Sequence, residues 1–257
     1  MGEALSGRAT LVLLHAAGLD HRMWDETAAA WQERGHDTLA LDLAGHGTAP
    51  APRAGCTLDD LADDVLERLP ARDGPVVLVG VSLGGMVGQL CALRGTAAVD
   101  GLVLANTMAH PTPPMRDALR GRASRTEERG VVGMVDETID RWFSAETRER
   151  APESVARVRQ WLTEADTAVN AGTWRAIADL ATLERLPKLD LPVLVVSGSV
   201  DASVPAAVTA EMCAALSDVR HVELAGVGHL APVEAAARFV TEVDTFVRES
   251  LTRREIS

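Results

Sequence analysis

The sequence predicts an α/β fold in which a mostly parallel sheet is flanked by helices and interrupted by a helical insertion. Short apolar runs alternate with amphipathic segments up to residue 106, and the alternation resumes near residue 187. Connections of this kind give parallel strands that are covered on both faces. Between residues 107 and 186 the strand signal disappears. A chain of 257 residues can bury one such core together with an insertion.

The elements before the insertion follow from hydrophobic periodicity, since short apolar runs predict strands and a period of 3.6 residues predicts helices. The predicted strands are Thr10–His15, Asp37–Asp42, Pro75–Val81 and Asp100–Asn106. The predicted helices are Asp25–Arg34, Thr57–Leu69 and Leu83–Arg94. Thr57 precedes an acidic first turn and is the expected N-cap of its helix.

The insertion and the last part of the chain are assigned in the same way. Apolar spacing predicts four helices in the insertion, at Met115–Thr126, Val131–Trp142, Val155–Leu162 and Ala168–Leu180. Beyond it we predict strands at Pro192–Ser199 and Val219–Leu224, and helices at Ala206–Leu216 and Val233–Arg248. Residues 1–106 and 187–257 are therefore predicted to form the core, and residues 107–186 a helical cap.

Composition and charge limit the kinds of molecule that the protein is expected to bind. The formal net charge is −12 and the isoelectric point is about 5.0, so an acidic surface would repel nucleic acid and anionic membrane. The N-terminal segment MGEALSGRAT does not resemble a signal peptide. No apolar run approaches the roughly 18 residues of a membrane-spanning helix. We expect a cytoplasmic protein that acts on a small molecule.

The stretch Gly80–Gly84 reads GVSLG and lies between a predicted strand and a predicted helix. A sharp turn at this junction would lift the Ser82 hydroxyl clear of the sheet, and glycines on either side would leave room for the bend. The helix that follows would favour developing negative charge at its N-terminus. Although Gly and Ser are also common in structural turns, this context favours Ser82 as a nucleophile.

A serine nucleophile needs a base, and the base needs a carboxylate that orients it. His229 lies in a glycine-rich loop after the strand that ends at Leu224, and His110, at the start of the insertion, is its rival. Asp201 follows the strand before that one; as an alternative to catalysis it could be a turn former. Two backbone N–H groups should form an oxyanion hole, and we assign them to Leu83 and Ala17.

These segments resemble the α/β-hydrolase superfamily over nearly the whole chain, and Ser82, Asp201 and His229 occur in the chain order of that fold. The closer likeness is to 3-oxoadipate enol-lactonases and related esterases, through LHAAGLDHRMW, GVSLGGMVGQL, GLVLANT and GMVDETIDRWF. The resemblance implies an α/β-hydrolase fold, the catalytic triad Ser82, Asp201 and His229, oxyanion donors Ala17 and Leu83, and neither a metal nor an organic cofactor. Only nine residues precede Thr10, so the N-terminal edge of the sheet is expected to be shortened.

The predicted cap holds the residues that would determine the substrate. Trp142, Trp161 and Trp174 could fill a small helical subdomain or line an apolar pocket over the sheet; we assign them to substrate binding. The substrates of the resembling lactonases carry carboxylates. Several arginines of the cap could therefore bind an anion or be solvated helix charges, among them Arg120, Arg122, Arg125 and Arg141.

The expected reaction is hydrolysis of a small ester or lactone through an acyl-enzyme. A haloalkane dehalogenase would need Asp in place of Ser82. A carbon–carbon bond hydrolase and a cofactor-free perhydrolase would use the same triad and remain alternatives. A non-hydrolytic tailoring or ligand-binding protein that has retained the fold is a further alternative, since fold and function are separable.

Overall fold

The computed structural model describes residues 8–51, 56–71, 74–95 and 98–256, with side chains up to residue 250. Its centre is a six-stranded sheet in the order β2-β1-β3-β4-β5-β6, and every described strand pair is parallel. The strands are β1 (Thr10–Leu14), β2 (Asp37–Leu41), β3 (Val76–Val81), β4 (Gly101–Ala105), β5 (Val193–Gly198) and β6 (Val219–Leu224). The predicted parallel α/β fold is confirmed. Residues 1–7, at the predicted short edge, lie outside the described residues.

The helices follow the predicted order with small differences at their ends, except that the segment between β4 and β5 contains a fifth helix that was not predicted. Those of the core are α1 (Asp25–Glu33), α2 (Leu58–Glu67), α3 (Leu83–Leu93), α9 (Ala206–Ala215), α10 (Ala231–Glu234) and α11 (Ala236–Ile256). Those between β4 and β5 are α4 (Pro113–Arg129), α5 (Val135–Trp142), α6 (Ala145–Arg150), α7 (Pro152–Glu164) and α8 (Thr167–Ala178). Short 3₁₀ helices span His21–Trp24, Val132–Met134 and Leu183–Lys188. The last predicted helix is divided in two, because Ala235 leaves helical geometry.

Strand burial explains why the apolar runs are nearly continuous. All six residues of β3 and all five of β4 are buried, since helices cover both faces of a parallel sheet. The edge strands β2 and β6 are more exposed, since each has a single buried residue, and both contain polar residues. None of the described helices is long and apolar enough to cross a membrane.

The carboxyl ends of neighbouring parallel strands meet at one edge of the sheet, where ligand sites form in such folds. Four loops begin there, after β3, β4, β5 and β6. They place Ser82, Asn106, Asp201 and His229 at this edge. The helices α4–α8 leave the sheet after β4 and return at β5, so the segment 107–186 (the cap segment below) starts beside these residues.

Candidate active site

Ser82 forms the turn between β3 and α3 in a strained conformation. Its φ is 53° and its ψ is −113°, a combination that costs free energy and is maintained only when the surroundings enforce it. Its N–H donates to the carbonyl of Ala105 at 2.9 Å, and its carbonyl accepts from the Thr107 hydroxyl at 2.7 Å. Hydrogen bonds to the end of strand β4 and to the residue Thr107 after it therefore maintain the turn in this conformation.

The glycines of the turn are required by close backbone approach. A Cβ at Gly80 would overlap the backbone of Gly84, and a Cβ at Gly84 would overlap the carbonyl of Leu14. The Gly84 N–H donates to the His15 carbonyl at 3.0 Å. The first turn of α3 thus lies directly against the end of β1, and no larger side chain fits between them.

His229 and Asp201 form a buried pair at the ends of β6 and β5. The His229 Nδ1 lies 2.9 Å from Oδ2 and 3.1 Å from Oδ1 of Asp201, and both side chains are buried. With its proton on Nδ1, the ring leaves Nε2 free to accept a proton. The backbone N–H of His229 donates to the Trp142 carbonyl at 2.7 Å, which ties the histidine loop to the cap segment.

The Asp201 carboxylate is held in its charged form. Burial opposes the charge, but His229 and hydrogen bonds from Asn106 and from the Ser203 N–H outweigh burial and lower the pKa of Asp201. The Ser203 N–H donates to Oδ1 at 2.7 Å and the Val204 N–H at 3.1 Å. A carboxylate fixed in this way can orient the imidazole and stabilise its protonated form.

Ser82 and His229 line one cavity of about 120 Å³ beneath the cap segment. Met86, Met108 and Ile177 supply apolar walls, and Trp142 and Trp174 also face it. A small cavity adjoins it at Trp142 and Trp174 and is lined by Ala17. Ser82 and His229 therefore lie in a cavity that shares the walls formed by Trp142 and Trp174 with the cavity of Ala17.

The two N–H groups predicted to bind an oxyanion are free to do so. Among the described residues, neither the Leu83 N–H nor the Ala17 N–H has a hydrogen-bond acceptor. The buried His15 ring fixes the loop of Ala17, since its Nδ1 donates to the Ala16 carbonyl at 2.9 Å and its Nε2 accepts from the Leu43 N–H at 2.9 Å. Burial, with the neighbouring His46, lowers the pKa of His15 to about 3 and keeps it neutral.

Trp161 does not share the cavity of Ser82. It lines a separate cavity of about 390 Å³ between α7 and the loop after β1. The Arg22 guanidinium lies over its ring, 5.7 Å from the centroid, and also pairs with Glu164 and Asp20. This placement favours a cation–π contact between cap segment and core for Trp161.

The cap arginines differ in their surroundings. Arg122 is buried, lines the cavity of Ser82, and stacks over Trp174 at 4.3 Å from the ring centroid. Its Nη2 donates to Thr138 at 2.6 Å, while its Nε is buried without a partner among the described residues. Burial lowers the pKa of Arg122 to about 10, which still leaves it charged at neutral pH.

The other three arginines named from the sequence are more exposed or lie elsewhere. Arg125 and Arg141 reach the same cavity, and Arg125 pairs with Glu137 at 3.1 Å. Arg120 does not line this cavity and pairs with Asp179 at 2.9 Å on the surface. Arg122 is thus the cap arginine whose charge is buried against the candidate site.

Other reactive groups do not compete for the catalytic roles. His110 faces Glu211 at 3.7 Å and does not line the cavity of Ser82. Burial raises the pKa of the Cys91 thiol to about 12, which makes it a poor nucleophile. Asp20, His21 and Asp42 have the spacing of a metal site, with ligand atoms within 4.8 Å. Their carboxylates already accept hydrogen bonds from Arg22, His21 and Thr48.

Two site residues were not predicted from the sequence. Asn106 hydrogen-bonds to Asp201, and the only sequence signal was its position at the end of a buried strand. Ser203 lines the cavity, and its hydroxyl is buried without a partner among the described residues. Their orientations depend on loop geometry, which periodicity does not encode.

A sequence profile described as the alpha/beta hydrolase family matches residues 11–242, and the chain therefore belongs to that family. It is similar to 3-oxoadipate enol-lactonase 2 of Acinetobacter baylyi, with 27% identity over 195 residues that cover 76% of this chain and 72% of that protein.

Two solved structures are similar over nearly their full length. A thermophilic esterase from Thermogutta terrifontis, with malate bound, superposes with a TM-score of 0.85 at 26% identity, covering 94% of this chain and 90% of that one. The enol-lactonase from Burkholderia xenovorans superposes with a TM-score of 0.83 at 29% identity, covering 96% of this chain and 94% of that one.

Proposed function

We propose that this protein is a serine hydrolase that cleaves a small ester or lactone through an acyl-enzyme. The observation that supports it most is the common cavity of Ser82 and His229, with the His229 ring already oriented by Asp201. Ser82 is the nucleophile, His229 the general base and acid, and Asp201 the orienting carboxylate. Relatives whose names describe an enol-lactonase and an esterase support the same reaction class.

In the proposed mechanism, Ser82 Oγ attacks the substrate carbonyl while His229 Nε2 takes the hydroxyl proton. The Ala17 and Leu83 N–H groups hold the oxyanion of the tetrahedral intermediate. Its collapse breaks the bond to the leaving oxygen, which takes the proton from His229. Water then attacks the acyl-enzyme with His229 as base, and the acid is released as Ser82 regains its proton.

We further propose that residues 107–186 act as a cap that selects the acyl part of the substrate, over a core of residues 1–106 and 187–257. Trp142 and Trp174 supply the apolar contact area in this assignment. Arg122 supplies a buried positive charge with an unsatisfied donor, which suits a carboxylate on the substrate. The malate in the solved esterase and the name of the enol-lactonase relative agree with an anionic substrate, so an enol-lactone bearing a carboxylate is the specific proposal.

The decisive experiment combines labelling with substitution. A fluorophosphonate probe should modify wild-type protein at Ser82, and the Ser82→Ala variant should lose both labelling and hydrolysis of p-nitrophenyl esters. Full esterase activity in that variant would contradict the proposal. An unlabelled wild-type protein would favour the non-hydrolytic alternatives.

A panel of substrates separates the remaining possibilities. We expect hydrolysis of aryl esters, lactones and enol-lactones. A carbon–carbon bond hydrolase would instead act on diketones, and a perhydrolase would consume hydrogen peroxide with an acyl donor. Hydrolysis of short esters without hydrolysis of any lactone would remove the enol-lactone assignment while leaving the serine hydrolase intact.

A further inference from the structure

Asn106 is strained at the end of β4. Among the described residues, Ser82 and Asn106 are the non-glycine residues with positive φ, and the φ of Asn106 is 47°. Its side chain is buried, with 2% of the residue exposed. Strained backbone at a buried position persists where surrounding contacts enforce it and is concentrated at functional sites. Its strained, buried backbone therefore marks Asn106, like Ser82, as a candidate functional residue.

The side-chain amide of Asn106 connects the two loops that hold Asp201 and His229. Its Nδ2 donates one hydrogen bond to Asp201 Oδ2 at 3.0 Å and another to the carbonyl of Gly228 at 3.0 Å. Gly228 immediately precedes His229 in the chain. The Oδ1 of Asn106 accepts from the Ala231 N–H at 3.4 Å. Both donors of the amide are thus used at the acid–base pair.

The backbone of Asn106 anchors this amide to the sheet. Its N–H donates to the Val196 carbonyl in β5 at 2.9 Å. Asn106 thereby connects the end of β4 to strand β5, to the loop of Asp201 and to the loop of His229. A side chain of another shape at this point would leave the Asp201 carboxylate and the Gly228 carbonyl without these donors.

We propose that Asn106 is a positioning residue that sets the orientation and proton affinity of the Asp201–His229 pair, and this inference rests on the proposed serine hydrolase function. The Asp201 Oδ1 accepts from backbone N–H groups of its own loop, while Oδ2 lies between Asn106 and His229. The amide donor on Oδ2 holds the carboxylate in the orientation that brings both of its oxygens within 3.1 Å of His229 Nδ1. It also draws negative charge away from Oδ2, and so weakens its hold on the proton of His229.

Several charged groups surround the pair in the part of the chain that the structure describes. Asp201 faces His229, and Glu234 of α10 accepts from the Leu230 and Ser144 N–H groups near the histidine loop. The cavity of His229 is also lined by charged residues of α4 and α5: Arg122, Arg125, Glu137 and Arg141. None of these groups replaces the donors of Asn106. Loss of the amide should therefore make Asp201 a stronger proton acceptor and stabilise the protonated form of His229.

The test uses two variants that lack the amide but differ in backbone strain. Asn106→Gly accepts the positive φ without cost, whereas Asn106→Ala adds strain there. We expect both to lower the rate constant of fluorophosphonate labelling at Ser82 on the order of tenfold, the effect of losing a hydrogen bond to a charged group. In both, the acidic limb of the labelling pH profile should move to higher pH, since His229 retains its proton longer.

Thermal unfolding separates this role from a structural one. Asn106→Ala should have a lower Tm than Asn106→Gly, yet both should share one labelling rate and one pH profile. Thr57→Ala, in α2, serves as a destabilised control whose profile should match the wild type. A wild-type pH profile in both Asn106 variants, or a labelling rate that follows Tm, would overturn the inference while leaving the proposed function intact. Absence of labelling in the wild type would overturn the proposed function itself.

Discussion

Gly84 shows how a single residue can determine whether α3 packs against β1 in the arrangement that positions Ser82. The first turn of α3 lies against β1, and the Gly84 N–H donates to the His15 carbonyl at 3.0 Å. A methyl group at Gly84 would meet the carbonyl of Leu14, which is backbone of a buried strand and cannot move aside as a flexible side chain could. Glycine is required here because β1 lies so close, and not because of an unusual backbone conformation, since Gly84 lies in an ordinary helical turn.

Gly84→Ala should destabilise the fold by about 1–3 kcal/mol or more, in the range of overpacked core sites. The matched control is Gly172→Ala in α8, where an added Cβ meets nothing within 4 Å. That change should stabilise by roughly 0.5–1 kcal/mol, the ordinary gain of alanine over glycine in a helix. Urea unfolding measures the change in the free energy of unfolding in both variants. Equal stabilities would show that α3 can move away from β1.

The buried charge of Arg122 leads to a prediction about the charge of the substrate. Arg122→Met keeps most of the stem that packs on Trp174 but removes the cation, so a carboxylated substrate should lose a charged hydrogen bond worth about 1.5–3 kcal/mol. We expect kcat/KM for p-nitrophenyl hemisuccinate to fall by roughly 10- to 150-fold, with little change for p-nitrophenyl butyrate. Arg120→Met, on the same helix but paired with Asp179 at the surface, is the control. An equal loss on both esters would remove the anion-binding role.

At the scale of elements, α2 illustrates a helix whose start is encoded locally. The Thr57 hydroxyl accepts from the Asp60 N–H, and the Asp60 carboxylate accepts from the Thr57 N–H at 2.8 Å, which completes a capping box. Leu58, Leu61 and Val65 then face the core. Sequence periodicity and the cap agree here, which is why the start of this helix could be predicted to the residue.

Thr57→Ala should lower the free energy of unfolding by about 1 kcal/mol, the usual cost of losing an N-cap. Thr57→Ser retains the hydroxyl and should recover most of that loss. Chemical denaturation with an unchanged m-value would show that the effect is on stability alone. A Ser variant as unstable as the Ala variant would mean that the Thr57 methyl group, and not the cap, provides the stabilisation.

Helix α6 was not predicted, and the reason is physical. Its six residues, AETRER, contain no apolar face, and Thr147 is its buried residue. The helix is started by the Ser144 hydroxyl, which accepts from the Thr147 N–H at 3.0 Å. A short helix of this kind forms because its neighbours position it, and it leaves no periodic pattern to detect.

For the whole molecule, the shared carboxyl edge of the sheet made it possible to predict which candidate residues lie close together. Ser82, Asp201 and His229 each follow a strand, so the parallel topology alone brings them to one edge. What could not be predicted is the direction of side chains in the cap segment. Trp161 and Trp174 both lie in predicted helices of this segment, yet Trp174 faces the cavity of Ser82 and Trp161 faces Arg22. That difference arises from helix packing over long sequence distances.

The stability of the molecule should depend on pH through histidines that are buried uncharged. Burial lowers the pKa of His15 to about 3, and burial also lowers the pKa of its neighbour His46. The ring centroids of the two lie 4.9 Å apart. Below about pH 6.5 these two histidines therefore bind protons in the unfolded chain but not in the native state. Their contribution to stability is complete above that pH and is lost as the pH falls, for His15 toward pH 3.

Each proton taken up on unfolding contributes a slope of about 1.4 kcal/mol per pH unit. Between pH 6 and 4.5, we expect urea unfolding to show the slope of His15, to which His46 adds in the same direction. His15→Gln retains a donor and an acceptor but does not titrate, so it should be less stable than wild type at pH 7.5 and yet lose stability less steeply below pH 6. Above pH 7 the two proteins should differ by a constant amount, which serves as the internal control. A slope below pH 6 that is the same in the variant would show that His15 is protonated in the native state, contrary to its burial against the Leu43 N–H.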